Sequence, residues 1–385
     1  MSRGEVTTIG NVCSRFSSGK SILSTKINDK GLYPVFGGNG IRGYTDTYNF
    51  DGECAIIGRQ GAYCGNVRYF SGKAYMTEHA IVACAKPEYS TGYLAYKLSL
   101  MNLGQYQGQS AQPGLSVNTL AKVSIDMPPI AFQEKAFNCI KKLDNKIENN
   151  NRINEELALI AKTIYDYWFL QYEFPNEEGK PYKSSGGKMV WNEELEKEIP
   201  EGWKDIRLKD VFSIVKGKIP SNLLDKQTED SHPYITIDAI NGEGYKFCSS
   251  NNMPYCNGET VMVMDGAASG DIYVGCCGVL GSTLAMMKSL RADISDSLIY
   301  QILMNYKKKY KKANTGSTIP HANRKYIEEM SIPLSSDMKM FSDIFDRIQK
   351  KIIQNQKENQ ELCKLRVFLL PLLMSRQVSF LNSSD

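Results

Sequence analysis

Histidine is scarce in this chain. There are three in 385 residues, His79, His232 and His321. None has a companion that would build a metal centre or an imidazole acid–base pair. Long apolar runs are missing as well. No stretch approaches the ~18 residues of a membrane helix, and the residues after Met1 carry no signal-peptide pattern. The expectation is a cytoplasmic protein with no membrane association. The ten cysteines include no Cys-x-x-Cys pair, and only Cys276 and Cys277 are adjacent. Zinc ribbons and disulfide frameworks are therefore not indicated, and reduced thiols are expected. Strong charge of one sign is absent too, the net value being +4. Phosphate neutralisation alone usually needs a larger bias. A DNA partner would therefore require other subunits to supply part of the positive charge.

What the chain does have is itself, twice. Leu143, Ile147, Asn150, Asn154 and Leu157 recur 205 residues later as Ile348, Ile352, Asn355, Asn359 and Leu362. Upstream, Gly52-Glu53 matches Gly258-Glu259. A period this long exceeds any solenoid repeat. It signals two copies of a whole module, each a globular head followed by a long helix.

The heads, 1–128 and 203–333, read as α+β. Short β-prone runs (Tyr33–Phe36, Ala55–Gly58 and Ala80–Ala83, then Tyr234–Ile237, Thr260–Met264 and Leu284–Met287) alternate with turn clusters. One helix is expected in each, Gly92–Leu103 and Ser297–Lys312. The spacing predicts a mixed or antiparallel sheet without regular βαβ alternation. Spacers 129–174 and 334–385 follow the heads. Between them 175–202 is an acidic connector rich in Pro, Gly and Ser, closed by Ile199-Pro200-Glu201-Gly202-Trp203, with the Trp expected to be buried.

From Ile130 to about Tyr172 there is neither Pro nor Gly. Apolar and Asn positions step by three and four for more than three heptads, which indicates a coiled coil. The residues expected to pair the helices are Ile147, Asn150, Asn154 and Leu157 with Ile352, Asn355, Asn359 and Leu362. Unpaired core amides would cost about 1–3 kcal/mol each. Antiparallel pairing of the two helices would bring Asn to Asn. The alternative packs each helix on its own head, with the Asn facing water.

Catalytic motifs are weak. Gly38-Asn39-Gly40-Ile41-Arg42-Gly43 fits a dinucleotide fingerprint but leads into a β-prone run rather than a helix, so it reads as a turn with Arg42 facing DNA. Asp126-Met127-Pro128-Pro129-Ile130 lacks the acceptor residue and the aromatic of an adenine methyltransferase, and reads as a helix start. Glu178-x-Lys180 is half a nuclease signature without its Asp. No catalysis is expected of this chain.

The candidate DNA-reading positions lie at loop tips. In the first head they are Arg59, Gln60 and Tyr63, with the amide-rich Gln109 and Ser110. Gln bonds adenine bidentately and Arg bonds guanine. The counterpart of Gly58–Tyr63 is read as Met264-Asp265-Gly266-Ala267-Ala268-Ser269, giving Asp265 and Ser269. The basic run Tyr306–Lys312 leads into Thr315-Gly316-Ser317-Thr318, so Lys308 and Lys309 are expected at phosphates beside Ser317 and Thr318. The other reading of the run is a solvated helix end favoured by the helix dipole.

Taken in order, the two head-plus-helix repeats, Pro128-Pro129-x-x-x-Gln133-Glu134, Tyr167-Trp168-Phe169 with Phe174-Pro175, and Ile199–Trp203 resemble the specificity subunit of type I restriction–modification systems. The first head departs by lacking its own Ile-Pro-Glu-Gly-Trp opening. The resemblance implies two target recognition domains reading halves of a split, asymmetric double-stranded DNA site. They would be spaced by an antiparallel coiled coil that docks two modification (methyltransferase) subunits. S-adenosylmethionine would be bound by those partners, this chain holding no cofactor or metal. A restriction and motor subunit is an optional further partner. A methylation-only system, or a duplicated RNA-binding or scaffold protein, is the alternative.

Overall fold

The computed structural model describes residues 5–61, 63–108, 114–244, 246–316 and 318–380. The chain divides into two compact units, 1–149 with 359–385, and 150–358. Both boundaries fall inside the long helices, not at the head–helix junctions marked by the sequence. The physical reason is that helix ends pack into the head cores.

Unit 1 runs through β1 (Glu5–Thr8), α1 (Ile9–Val12), β2 (Cys13–Ser18), β3 (Tyr33–Gly37), β4 (Gly40–Thr45), β5 (Phe50–Gly58), β6 (Val67–Met76) and β7 (Ala80–Ala85). It continues with α2 (Thr91–Ser99), α3 (Val117–Ala121), β8 (Ser124–Met127) and the first part of α4 (Ile130–Tyr165). Six strands form one sheet in the order β2-β7-β5-β6-β3-β4. It is mixed, since β3 and β6 pair in parallel. Strand alternation sorts the two faces. Ala55, Ile57, Ile81 and Ala83 face Tyr93, Leu94 and Leu98 of α2, while Cys54, Ile56 and Val82 join Phe36, Phe50 and Met76 on the other side. The helix expected over Gly92–Leu103 stops at Ser99, and Asn102 takes a left-handed φ of 45°.

Unit 2 holds β9 (Met189–Asn192), β10 (Lys197–Pro200), β11 (Lys204–Arg207), β12 (Phe212–Lys216), β13 (His232–Ile235), α5 (Ile237–Ile240), β14 (Lys246–Cys248) and β15 (Tyr255–Asn257). Then come β16 (Thr260–Val263), β17 (Ile272–Tyr273), β18 (Cys277–Leu280), β19 (Leu284–Ser289), α6 (Asp296–Lys312), α7 (Arg324–Glu329), β20 (Ser331–Leu334) and α8 (Lys339–Met374). Here the strands split into two four-stranded sheets, β12-β19-β16-β17 and β14-β13-β18-β15. The strand expected over Tyr234–Ile237 ends at Ile235, because Thr236 turns to cap α5 through the Ala239 amide. Trp203 is buried and stacks on Phe174, ring centroids 5.1 Å apart. The long helix ends in a π turn, Asp166–Leu170, that sinks Trp168 and Phe169 into the same core.

Within each unit the two long helices run antiparallel. In unit 2 Asn355 donates to Asn154 at 2.8 Å, and Asn150 donates to Glu358 at 2.8 Å. Asn150 and Asn355 are both buried. Asn154 and Asn355 meet as the antiparallel reading requires, and the reading in which the Asn simply face water is set aside. Ile147, Leu157, Ile352, Asn359 and Leu362 are half-buried. In unit 1 Arg366 meets Asp144 at 2.5 Å, and Asp144 also accepts from the Tyr96 hydroxyl at 2.6 Å. Leu370, Leu373 and Met374 lie in the unit 1 core with Ala136 and Ile140. Lys97 donates to the Met374 carbonyl at 2.6 Å, satisfying an orphan helix-end acceptor.

Candidate nucleic-acid interface

At the end of β5 the chain makes a tip loop whose base is fastened by Arg59. Its amide donates to His79 O at 3.0 Å, and its carbonyl accepts from the Leu115 amide at 2.8 Å and the Cys64 thiol at 3.1 Å. The guanidinium is used inward too, donating to Leu115 O at 3.3 Å and Glu78 O at 3.4 Å. Arg59 therefore clamps three segments together. The geometry supports a positioning role for it rather than contact with a base.

Beyond this clamp Gln60 is exposed and pairs as a bridge with Gly114. Its Oε1 lies 2.9 Å from His79 Nδ1, which fixes the orientation of the amide. Gly61 follows with φ +83°, a conformation glycine adopts freely, and Tyr63 stands half exposed. Arg42 lies exposed on β4, the sheet's edge strand, and packs its stem against Gly37. The Gly38-Asn39 turn that joins β3 to β4 is a hairpin, not a phosphate cradle. Gln109 and Ser110 lie outside the described residues.

Unit 2 rebuilds this loop with other side chains. Asp265 bridges to His321 as Gln60 bridges to Gly114, and Gly266 (φ +103°) stands where Gly61 does. The Ser269 hydroxyl donates toward Met264 O at 3.3 Å, as the Cys64 thiol does to Arg59 O. Backbone geometry thus corrects the sequence register by one residue: Gln60 corresponds to Asp265, and Ser269 to Cys64. Ser269 is fully buried, with Gly266 O and Pro320 O each at 2.7 Å, so it cannot reach a base. Asp265 is held by His321 Nδ1 at 2.8 Å and Lys216 at 3.0 Å. Burial raises its pKa, but these two partners outweigh that and leave it below the ordinary value.

The basic run divides by helical spacing. Lys307 and Lys311, one turn apart, both pair with Asp271, at 2.8 and 2.9 Å. Lys308 and Lys309 are exposed and line a shallow cleft with Lys312, Ala313 and Tyr326. Thr318 is exposed nearby in sequence, and Ser317 lies outside the described residues. Because α2 has 9 residues and α6 has 17, the described residues of unit 1 include no equivalent of this lysine-bearing extension.

In the sequence His79 and His321 stood aside for want of a companion, yet each bonds the tip residue of its unit. It also passed over Arg68, exposed on β6 with its guanidinium beside Gly40 in the β3–β4 hairpin. The residues described hold no cluster suited to a metal ion, and no helix among them is long and apolar enough to cross a membrane.

Two heads of α+β architecture, with matched tip loops of different chemistry and paired helices, define a duplicated recognition protein. Residues 1–159 and 200–364 match the family model for the type I restriction modification DNA specificity domain. The chain belongs to that family. It is 36% identical to the type I restriction enzyme EcoprrI specificity subunit of Escherichia coli, over 43% of each chain. The match thus spans under half of that relative. To the MjaIX specificity subunit of Methanocaldococcus jannaschii it is 27% identical over 93% of this chain and 90% of the relative. The crystal structure of the S subunit of a type I restriction-modification system from M. genitalium shares the fold, with a TM-score of 0.70 at 18% identity. That likeness covers 96% of this chain and 95% of the other.

Proposed function

We propose that this chain is the DNA-reading subunit of a type I restriction–modification complex, each head reading one half of a split site. The observation that carries this is the pair of tip loops. Backbone, bridge and glycine conformation are kept, while Gln60 gives way to Asp265 and an orienting histidine serves both. Side-chain amides and carboxylates are what distinguish base edges, since Gln pairs with adenine and Asp accepts from cytosine. Gln60, Tyr63 and Asp265 are the readers, with Arg42 and Thr318 beside them. Lys308 and Lys309 contact phosphate and set register.

The chain itself does no chemistry in this reading. Adenine methylation belongs to two partner subunits that carry S-adenosylmethionine, and a restriction and motor subunit joins where cutting occurs. Exposed apolar side chains on the helices, Leu159 and Ile160 in unit 2 and Val367 and Phe368 in unit 1, support docking of such partners. The modest net charge fits a chain that shares DNA binding with them. The complex acts in the cytoplasm, where its DNA is.

The test is to map methylated adenines in cells with and without this chain, alongside its modification subunit. A bipartite methylated sequence that vanishes with the chain is expected. Methylation by the purified chain alone would overturn the assignment of chemistry to its partners.

A further inference from the structure

Aligned residue by residue, the two copies differ beside the start of α2 and α6 by more than recognition chemistry. The correspondence of Asn150 with Asn355, and of the helix caps Ser90 and Ser295, fixes an offset of 205 residues. In unit 1 the space between the start of α2 and α4 is full. Phe137 packs onto Gly92 so closely that a Cβ there would lie 2.2 Å from its ring, and Tyr69 and Tyr96 flank it. Lys141 adds a cation, its ammonium 5.1 Å from the centre of the Tyr69 ring. Burial first, and then the nearby Glu53 carboxylate, raise the pKa of the Tyr69 hydroxyl.

In unit 2 an acid is kept one residue off that offset, as Glu259 of the Gly258-Glu259 pair, but the filling is gone. Ser342 stands for Phe137, Ser297 for Gly92, Asp346 for Lys141 and Gln349 for Asp144. The result is a cleft of about 410 Å³ whose walls include Asp296, Asp346 and Gln349. That volume falls in the range of sites for small ligands. Gln349 is 8% exposed and its amide has no hydrogen-bond partner among the described residues. The amide atoms themselves are not sealed from solvent, so they are open to a group entering the cleft. The Asp296 carboxyl is pushed up to about 6 by burial and by the neighbouring charges of Glu259 and Asp346. Lys350 also lines the cleft, but it is exposed and makes no ion pair among the described residues.

We propose that this cleft receives one alkylammonium or guanidinium group from outside the chain, in the place that Lys141 fills in unit 1. Asp346 and Asp296 supply the counter-charge and the Gln349 carbonyl accepts a hydrogen bond. A bare metal ion is disfavoured, since no three His, Cys, Asp or Glu among the described residues gather closely enough to hold one. The cation comes either from a free amine or from a side chain of a docked protein.

Agmatine, which carries both groups, is the probe for the first source, titrated calorimetrically into the full chain. Binding at about 1 mM or tighter is expected. It should weaken by about tenfold or more in Asp346→Lys, which restores the unit 1 charge, and in Asp346→Asn, which is gentler on folding. It should also weaken as pH falls from about 7.5 to about 5, because Asp296 takes up a proton through that range. Unaltered melting of Asp346→Asn separates a binding defect from a folding defect. For the second source, association of the full chain with its modification subunit is measured for the same variants. Only this arm rests on the proposed assembly. A tenfold weaker complex would assign the cation to that partner. An unchanged complex with agmatine binding intact would assign it to a free amine. Absence of agmatine binding together with an unchanged complex would overturn the proposal, whether or not the chain directs methylation.

Discussion

Asn355 donates its amide to the Asn154 carbonyl across 2.8 Å, from a buried position on α8 to a half-buried one on α4. Asn355→Leu alone strands its partner's oxygen and should cost about 1–3 kcal/mol. Asn154→Leu with Asn355→Leu should recover most of that loss, while loosening register or promoting association. Denaturant midpoints for the two singles and the double close the cycle. Equal costs that simply add would mean the bond does not couple the helices.

Gln60→Ala should relax one base position in one half-site, at about 1–3 kcal/mol for the missing bidentate pair. Arg59→Ala should instead lower the melting temperature of unit 1, because its guanidinium holds Leu115 O and Glu78 O. Methylated-site maps and thermal melts of both variants separate the roles. A specificity change in Arg59→Ala with undiminished stability would reverse the assignment.

Lys308→Ala with Lys309→Ala should weaken all DNA sequences alike and reduce the salt slope by about 0.9 for each phosphate no longer neutralised. Lys307→Ala with Lys311→Ala removes both partners of Asp271. Its carboxyl, which burial raises and these lysines lower further, should return toward higher pKa. The stability that pairing gives is present above the ordinary carboxylate range and lost as pH falls through the folded value. This double variant should therefore lose stability at neutral pH and show a flatter acid limb. Melting against pH reads the difference.

Head identity and helix length should be separable. Exchanging 1–128 for a relative's head should change one half of the methylated sequence only. Matched seven-residue insertions in α4 and α8 should lengthen the unread gap by ~10 Å, about three base pairs, with both halves kept. Full activity with an unaltered gap would show that the helices do not set it.

The helices and their seam were legible because a three-and-four stagger repeated over many turns leaves one reading for Ile140, Asn150, Ala161 and Trp168. The tip loops were legible as places but not in register. Ala267-Ala268-Ser269 carries no side-chain signal to align it with Cys64, and only the Gln60–Gly114 and Asp265–His321 bridges settle it. Arg59 looked like a reader since nothing in its neighbours states which way a guanidinium turns. The parallel pairing of β3 with β6 was likewise invisible, as was the antiparallel pairing of β1 with β8 across the whole head. Such pairings depend on chain closure, not on local pattern.

The Tyr93 hydroxyl reaches the Met374 carbonyl at 3.4 Å, 281 residues further along. Ribosomes add ~5–20 residues per second, so the first head waits roughly 14–56 s for the helix end that completes its core. During that interval Leu94 and Ile140 lack the cover of Leu370 and Leu373, which share their core. Unit 2, contiguous from 150 to 358, suffers no such delay. The chain therefore finishes its later-made unit first, and a stalled or clipped translation product fails at the end that was synthesised earliest.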